Sequence, residues 1–280
     1  MQTKQILSQG WLVLITPLVT SWNLATLPSH AATLSYAEAA VTVDNFSHTP
    51  VNTTTLTVTN TYAIARSGAV ISESLASAYF NNLLPFAENL SVSQGAGNIY
   101  WGMGQSVAAI VGHNFSIGKG ETFSFDFYAA LGLLTAVDYP NEYASATGNI
   151  IFQLYNSTNP NHWKLLDSFQ LSGNLTASGT NRYLSYGNSY SIRFNPNQTY
   201  FNTDFSGNQE SVFADISGYY SRTFHKSTQL TLVEFQENQT EVEAVPEPLN
   251  ILGSLGFGLV CFGRKIKDKL FPLSKSKNPQ

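Results

Sequence analysis

The chain has 280 residues, a formal net charge of −4 and a single cysteine, and only 11% of its residues are charged. An average soluble protein has roughly 25% charged residues. A nucleic-acid-binding protein needs a basic stripe, which this composition disfavours. One cysteine excludes both an intramolecular disulfide framework and a metal site built from several cysteines. The 43% of hydrophobic residues supply enough apolar material for a packed core.

The first 31 residues have the pattern of a secretory signal peptide. Lys4 is their only charged residue, and an apolar run follows at 11–19. Small residues, Ser29 and Ala31, stand at the −3 and −1 positions of a cleavage site. The pattern predicts cleavage between Ala31 and Ala32. The alternative is that the apolar run forms a buried helix of the mature protein.

A second apolar segment, 249–263, lies near the other end of the chain. As a helix it would span roughly 22 Å, which crosses a ~30 Å hydrocarbon core only if Arg264 and Lys265 snorkel or the bilayer thins. Its glycines are unfavourable in a soluble helix but common in membrane helices. The segment therefore predicts one membrane helix, with the basic tail 264–280 in the cytoplasm and the body exported. The alternative is a buried C-terminal helix.

A short motif directly precedes this segment. It consists of Val245, Pro246, Glu247 and Pro248. Together with the apolar segment and the basic cluster at Arg264 and Lys265, it resembles the PEP-CTERM sorting signal. The resemblance covers residues 245–269. It implies recognition by an exosortase, a membrane-bound processing enzyme of Gram-negative bacteria and cyanobacteria, during export.

The remaining 213 residues, 32–244, form the body, which we expect to be one exported domain. They include 16 acidic and 7 basic residues, a formal net charge of −9, and no cysteine. This acidity disfavours binding to anionic phospholipids or other polyanions. It is compatible with neutral glycans or cations as ligands.

A period of two dominates the body and predicts β-strands. It is clearest at 121–131, where Phe123, Phe125 and Phe127 share one face. Further predicted strands lie at 149–155, 163–171, 211–224 and 228–236, with weaker ones at 53–65, 68–80 and 98–112. Residues 156–161 predict a hairpin loop. Residues 79–90 could hold one short helix, although Pro85 favours a loop, and the polar stretch 236–244 predicts a tether between the body and the membrane.

Many short strands and little helix predict an all-β fold. The expected body is an antiparallel β-sandwich or jelly roll, flanked by an N-terminal signal helix and a C-terminal membrane helix. The body also resembles a cyanobacterial group of PEP-CTERM proteins of unknown function. That resemblance rests on four stretches, at 123–127, 145–149, 207–211 and 230–234. The group has no known activity, so it implies architecture and destination rather than chemistry.

No catalytic motif stands out in the body. The stretch around Ser106 approaches a nucleophile elbow, but alanine occupies the last glycine position and the motif requires an α/β sheet. Asp138 and Glu142 could hold calcium through carboxylate oxygens, yet a solvated turn is the simpler interpretation. The body histidines are scattered singly at His48, His113, His162 and His225. We therefore expect no cofactor, no metal and no catalytic activity.

Aromatic residues suggest one candidate ligand site. Trp101 follows a tyrosine and is expected to be exposed at a strand end, where it could stack on a sugar. Trp163 shares a predicted face with Leu165 and Phe169, which favours a place in the core. The leading hypothesis is an exported, non-enzymatic protein of the cell surface or extracellular matrix. The alternatives are a glycan-binding module of the polysaccharide matrix and, third, a hydrolase of matrix polymers.

Overall fold

The computed structural model describes residues 32–80, 85–177 and 181–245, which form ten β-strands and no α-helix. The strands are β1 (Ala32–Asp44), β2 (Asn52–Phe80), β3 (Pro85–Ile117), β4 (Thr122–Ala136), β5 (Glu142–Asn156), β6 (Lys164–Thr176), β7 (Tyr183–Asn188), β8 (Ile192–Asp204), β9 (Gln209–Thr223) and β10 (Thr228–Ala244). Among these residues, none belongs to a helix with the length and apolar content needed to cross a bilayer. The prediction of an all-β body is thus confirmed.

All ten strands belong to one antiparallel sheet. Nine of them follow the order β7-β6-β5-β10-β3-β1-β4-β9-β8, and β2 pairs with β3. The sheet curls until it is nearly closed into a barrel. Side chains line the remaining seam, where the rings of Tyr186 and Phe201 stack with centroids 4.9 Å apart. Nearby, Arg182 Nε lies 3.1 Å from Glu210 Oε1.

The long hairpin of β2 and β3 bends sharply in its middle. Gly68 and Gly97 face each other there with φ angles of 138° and 113°, which side chains rarely tolerate. On one side of the bend β3 pairs with β1, and on the other it pairs with β10. The two halves of β2 therefore lie over each other. The Ser74 hydroxyl donates across this gap to the carbonyl oxygen of Asn60 at 3.4 Å.

An apolar core fills most of the interior. In β4, Phe123, Phe125 and Phe127 are buried while the residues between them point outward, as the period of two predicts. Phe125 stacks on Tyr220 of β9 at 5.1 Å, and Phe127 meets Phe152 of β5 at 5.4 Å. Each such fully buried large side chain contributes about 1.5–3 kcal/mol. The core therefore joins the two facing parts of the sheet without a disulfide.

Towards the bend the interior becomes polar. The side chains of Gln236, Asn238 and Thr240, all on β10, are fully buried. Asn238 Nδ2 donates to the carbonyl oxygens of Ala37 at 3.3 Å and Asn89 at 3.0 Å. An unpaired buried polar group costs about 1–3 kcal/mol. These hydrogen bonds allow a polar strand to occupy the middle of the sheet.

This placement corrects the prediction of a tether at 236–244. The stretch is the second half of β10, which pairs with β3 on one side and β5 on the other. Its even-numbered residues point inward, and its acidic residues Glu237, Glu241 and Glu243 point outward. The alternation is present in the sequence, but polar residues occupy both faces, so the stretch looks like a linker.

The remaining strand predictions are confirmed. The sequence did not predict β1, β7 or β8. The described residues of the stretch 79–90 belong to strands and not to a helix, since β2 continues to Phe80 and β3 begins at Pro85. A proline is tolerated at that position because the first residue of a strand need not donate to the ladder. The loop predicted at 156–161 is confirmed, since β5 ends at Asn156 and β6 begins at Lys164.

Several predictions concern residues outside the described part of the chain. They are the signal peptide up to Ala31, the motif residues from Pro246 onward, the membrane segment 249–263 and the basic residues Arg264 and Lys265.

Candidate functional site

The strongest candidate for a ligand site is the Trp101 surface, which we define as Tyr62, Ile64, Trp101, Glu241 and Glu243. These residues lie on the outer face of three adjacent strands, β2, β3 and β10. In the pairing register, Trp101 of β3 lies opposite Ile64 of β2 on one side and opposite Glu243 of β10 on the other. The Tyr62 and Trp101 rings contact each other, with centroids 4.7 Å apart and planes inclined by 54°. Both Tyr62 and Ile64 are more than 40% exposed.

A carboxylate fixes the orientation of the tryptophan. The Trp101 indole Nε1–H donates to Glu241 Oε1 at 2.7 Å. The adjacent Glu243 is partly buried, and this burial, followed by repulsion from Glu241, raises its pKa. The surface therefore combines an apolar ring pair with acidic oxygen acceptors. Hydroxyl groups can donate to such acceptors while an apolar ring face covers the carbons of the same ligand.

The structure corrects the expected position of Trp101. The residue is not at a strand end but in the middle of β3, close to the bend, and it is only partly exposed. Tyr62, Glu241 and Glu243 were not predicted as its neighbours. They are separated from it by up to 142 positions in the chain, and only the pairing of β2, β3 and β10 brings them together.

A second acidic and aromatic surface lies on the outer face of the opposite part of the sheet. This tyrosine–carboxylate face comprises Tyr36, Glu38, Glu88, Tyr128 and Asp215. The Tyr128 hydroxyl donates to Asp215 Oδ1 at 2.8 Å, and the Tyr36 hydroxyl donates to Glu38. Burial, reinforced by these carboxylates, raises the pKa of both tyrosines. Burial and the nearby Glu38 likewise raise the pKa of Glu88.

Sequence reasoning missed this second face for a clear reason. Tyr36 and Glu38 belong to β1, which was not predicted as a strand. Their spacing of two was the available signal, because residues two apart point to the same side of a strand. The face has its phenol hydroxyls already bonded to carboxylates, so it offers a ligand mainly ring edges and acceptor oxygens.

The catalytic and metal candidates from the sequence do not form a site. Ser106 is fully buried inside β3, where its hydroxyl lies 2.9 Å from that of Ser91, so it is not on a nucleophile elbow. Glu142 closes its own loop by accepting from the backbone N–H groups of Asp138 and Tyr139 at 2.8 and 3.1 Å. Within the described ranges, no group of three or more potential metal-ligating side chains was found.

The histidines are dispersed among different surroundings. His48 Nε2 lies 3.2 Å from Glu121 Oε2, and His113 packs against the Trp163 ring at 6.4 Å. Partial burial lowers the pKa of His113. These contacts give each of the two histidines a local structural role.

The predicted face of Trp163 implied a place in the core, but the structure does not place it there. It lies just before β6 and is 36% exposed, while Leu165 is 45% exposed. The pairing of β5 and β6 shifts register between Leu154 and Tyr155. Because a one-residue shift reverses the side-chain direction, Asp167 and Phe169 point inward while Trp163 and Leu165 are exposed.

Two residues of the predicted processing sites fall within the described part of the chain. Ala32 is the first residue of β1, and its backbone N–H donates to Asp138 Oδ2 at 2.9 Å. Val245 follows β10 directly and is 52% exposed, and its carbonyl oxygen accepts from Asn141 Nδ2 at 3.0 Å. Comparison with known proteins adds no identity, since no family model, curated protein or solved structure matches the chain.

Proposed function

We propose that the chain is an exported, non-enzymatic protein of the cell surface or extracellular matrix that binds polysaccharide through an open sheet face. The observation that carries this proposal is the Trp101 surface, an outward-facing aromatic pair with adjacent carboxylates, in which Tyr62 is exposed and Trp101 partly exposed. It lies on the outer face of the curled sheet. An extended polymer can lie along such a face, whereas a catalytic site must converge several groups on one bond.

The polar character of the body supports the same function. Side chains rich in Ser, Thr and Asn cover much of the outer surface, and the formal charge of residues 32–244 is −9. Such a surface is well hydrated and repels anionic polymers. We therefore propose neutral glycans as the ligand class, with carboxylates of the Trp101 surface accepting from sugar hydroxyls.

The finer architecture belongs to this proposal as well. The bend at Gly68 and Gly97 turns the curled sheet into two facing layers, which we interpret as a sandwich of the jelly-roll kind. In this interpretation the layers are held together by the core, and their outer faces carry the binding surfaces. The Trp101 surface and the tyrosine–carboxylate face then lie on opposite sides of one body.

The sorting signal completes the proposal. The resemblance of residues 245–269 to a PEP-CTERM signal supports a body outside the cytoplasm that is matured by an exosortase. In the native host we expect the protein in the membrane and extracellular fractions. Replacing Pro246 and Pro248 with alanine should leave an unprocessed, membrane-bound form. Intact wild-type protein in the cytosol would contradict the assignment.

Glycan binding is tested with a matched pair of substitutions. Purified protein is titrated against neutral polysaccharides from the host matrix. Tyr62→Ala and Trp101→Ala should each weaken binding roughly tenfold, equivalent to about 1.4 kcal/mol. Tyr190→Ala is the control, because Tyr190 is 90% exposed and lies outside the Trp101 surface. Equal losses in all three variants, or no binding by the wild type, would refute the proposed site.

A further inference from the structure

Strand β2 has one edge without a partner in the described part of the chain. It runs for 29 residues and pairs with β3 alone. Alternate backbone N–H and C=O groups along such an edge are available to another strand. This edge belongs to the chain whatever the body binds, so the inference does not depend on the proposed ligand.

The other two sheet edges carry features that hinder pairing, whereas the irregularities of β2 are confined to the bend, between Ala65 and Gly68. Strand β7 has only six residues, and β8 contains Pro196 within a register shift between Phe194 and Thr199. Short strands, prolines and irregularities are the usual means of protecting an edge. β2 has no proline, and Arg66 and Glu73 are its only charged residues. Its composition favours pairing rather than preventing it.

The bend places both halves of β2 on the same side of the molecule. The Ser74 hydroxyl reaches the backbone of Asn60, so residues near position 74 lie directly over residues near position 60. Gly104, which pairs with Thr61, also lies against Ser74. A partner approaching this side therefore meets two stacked, unpaired strands at once.

We propose that β2 pairs with β2 of a second copy in the antiparallel direction. The two-fold axis runs between the two copies of β2, level with Leu75 in one half of the strand and with Asn60 in the other. In the half of β2 near Leu75, this register places Leu75 opposite its own copy and Ile71 opposite Tyr79. These three side chains point outward and are 48–61% exposed in the single chain. Glu73 faces Ser77, so the register avoids like charges opposite each other.

The other half of β2 fits the same axis. A two-fold at Asn60 places Val58 opposite Tyr62 and Leu56 opposite Ile64, and all four lie on one outer face. Apolar side chains again meet apolar side chains, and such cross-strand pairs each stabilise a sheet by about 0.2–1 kcal/mol. The occupant is a second copy because both halves match their own sequence in reverse about one axis. Each matched interface is isologous, as a closed dimer requires.

Cysteine cross-linking of the full chain tests the register. With Cys261→Ser as background, Leu75→Cys places two thiols on the axis, where directly opposed residues are about 5 Å apart at Cα and within disulfide reach. Ile71→Cys is the control, because its two copies would be roughly 26 Å apart along the strands. Mild oxidation should give covalent dimers with the first variant and none with the second. Equal cross-linking of both would overturn the register.

Charge substitutions test the contact itself by light scattering of the purified full chain. The wild type should have the mass of two chains. Leu75→Lys puts two like charges opposite each other and should give the mass of one chain. Ser77→Lys, on the same strand and face, brings its new charge opposite Glu73 and should leave the dimer intact. A monomeric wild type, or dissociation by both substitutions alike, would overturn the proposal.

Discussion

At the scale of single residues, Glu234 is the most unusual side chain of the interior. It lies on β10, is 2% exposed, and lines a small, mainly apolar cavity with Phe80 and Leu232 among its walls. Neither carboxyl oxygen has a well-formed hydrogen bond to another described residue, although the Gln236 side chain offsets part of the cost. Burial raises the pKa of Glu234 from 4.5 to about 8. The folded state therefore keeps this carboxyl protonated at neutral pH.

This protonation predicts that the protein loses stability as the pH rises. Between about pH 5 and about pH 8 the folded state holds a proton on Glu234 that the unfolded state has released, so the free energy of unfolding falls by up to about 1.4 kcal/mol per pH unit. Below the ordinary glutamate pKa both states are protonated and the contribution is constant. Denaturant unfolding at a series of pH values measures the slope.

The matched control lies three residues along the same strand. Glu234→Gln should flatten the dependence, because the amide does not titrate, whereas Glu237→Gln should not. Glu237 points outward and accepts from Gln105 Nε2 at 3.1 Å. An unchanged slope in Glu234→Gln would show that another group controls the pH dependence.

At the scale of elements, β10 shows how a polar strand can hold a central position. Its inward residues change from apolar at Leu230 and Leu232 to polar at Gln236 and Asn238. Their amide nitrogens donate to backbone carbonyls of other strands, which satisfies the donor half of each buried amide. An inward Asn also fixes the register, because a shift by one residue would expose it and bury an acidic neighbour.

We expect Asn238→Ala to destabilise the protein by about 2 kcal/mol, since it removes two hydrogen bonds and leaves a cavity in a packed interior. Gln239→Ala, at the next position, changes an outward side chain and should alter stability by less than about 0.5 kcal/mol. Thermal or denaturant unfolding of both variants provides the comparison. Similar losses at the two positions would contradict the inward polar layer.

The contrast between β4 and β10 indicates what can be predicted from sequence. β4 alternates phenylalanine with polar residues, so local order alone identifies a half-buried strand. Residues 236–241 are polar or acidic on both faces, and the partners that make the burial of the inward ones tolerable are remote. Asn238 donates to Ala37, 201 positions away, and to Asn89, 149 positions away. No local pattern contains that information.

The candidate site likewise combines features that the local sequence shows with contacts between remote residues. Trp101 could be proposed from its residue type, but its neighbours Tyr62 and Glu241 depend on strand pairing. Trp163 was misplaced because a register shift reverses the side-chain direction next to it. Single residues suited to binding can thus be predicted locally, whereas their assembly into a surface is a property of the whole sheet.

At the scale of the whole molecule, the position of β10 predicts where the chain can be shortened. A chain ending at Val245 retains every described strand and should unfold cooperatively with near-native stability. A chain ending at Phe235 loses the second half of β10, and with it about half of the two ladders through which β10 joins β3 to β5. We expect the shorter chain to lack cooperative unfolding, as measured by circular dichroism and proteolysis. A stable, protease-resistant short chain would mean that 236–244 is dispensable.

The same strand has a mechanical consequence. Val245 continues directly from β10, and β10 is held along its length by β3 and β5. In an antiparallel sheet the ladder hydrogen bonds run perpendicular to the strands. A force applied to the chain beyond Val245 therefore acts along β10 and shears both ladders together rather than opening them one bond at a time. A body pulled from this end distributes the load over two long ladders.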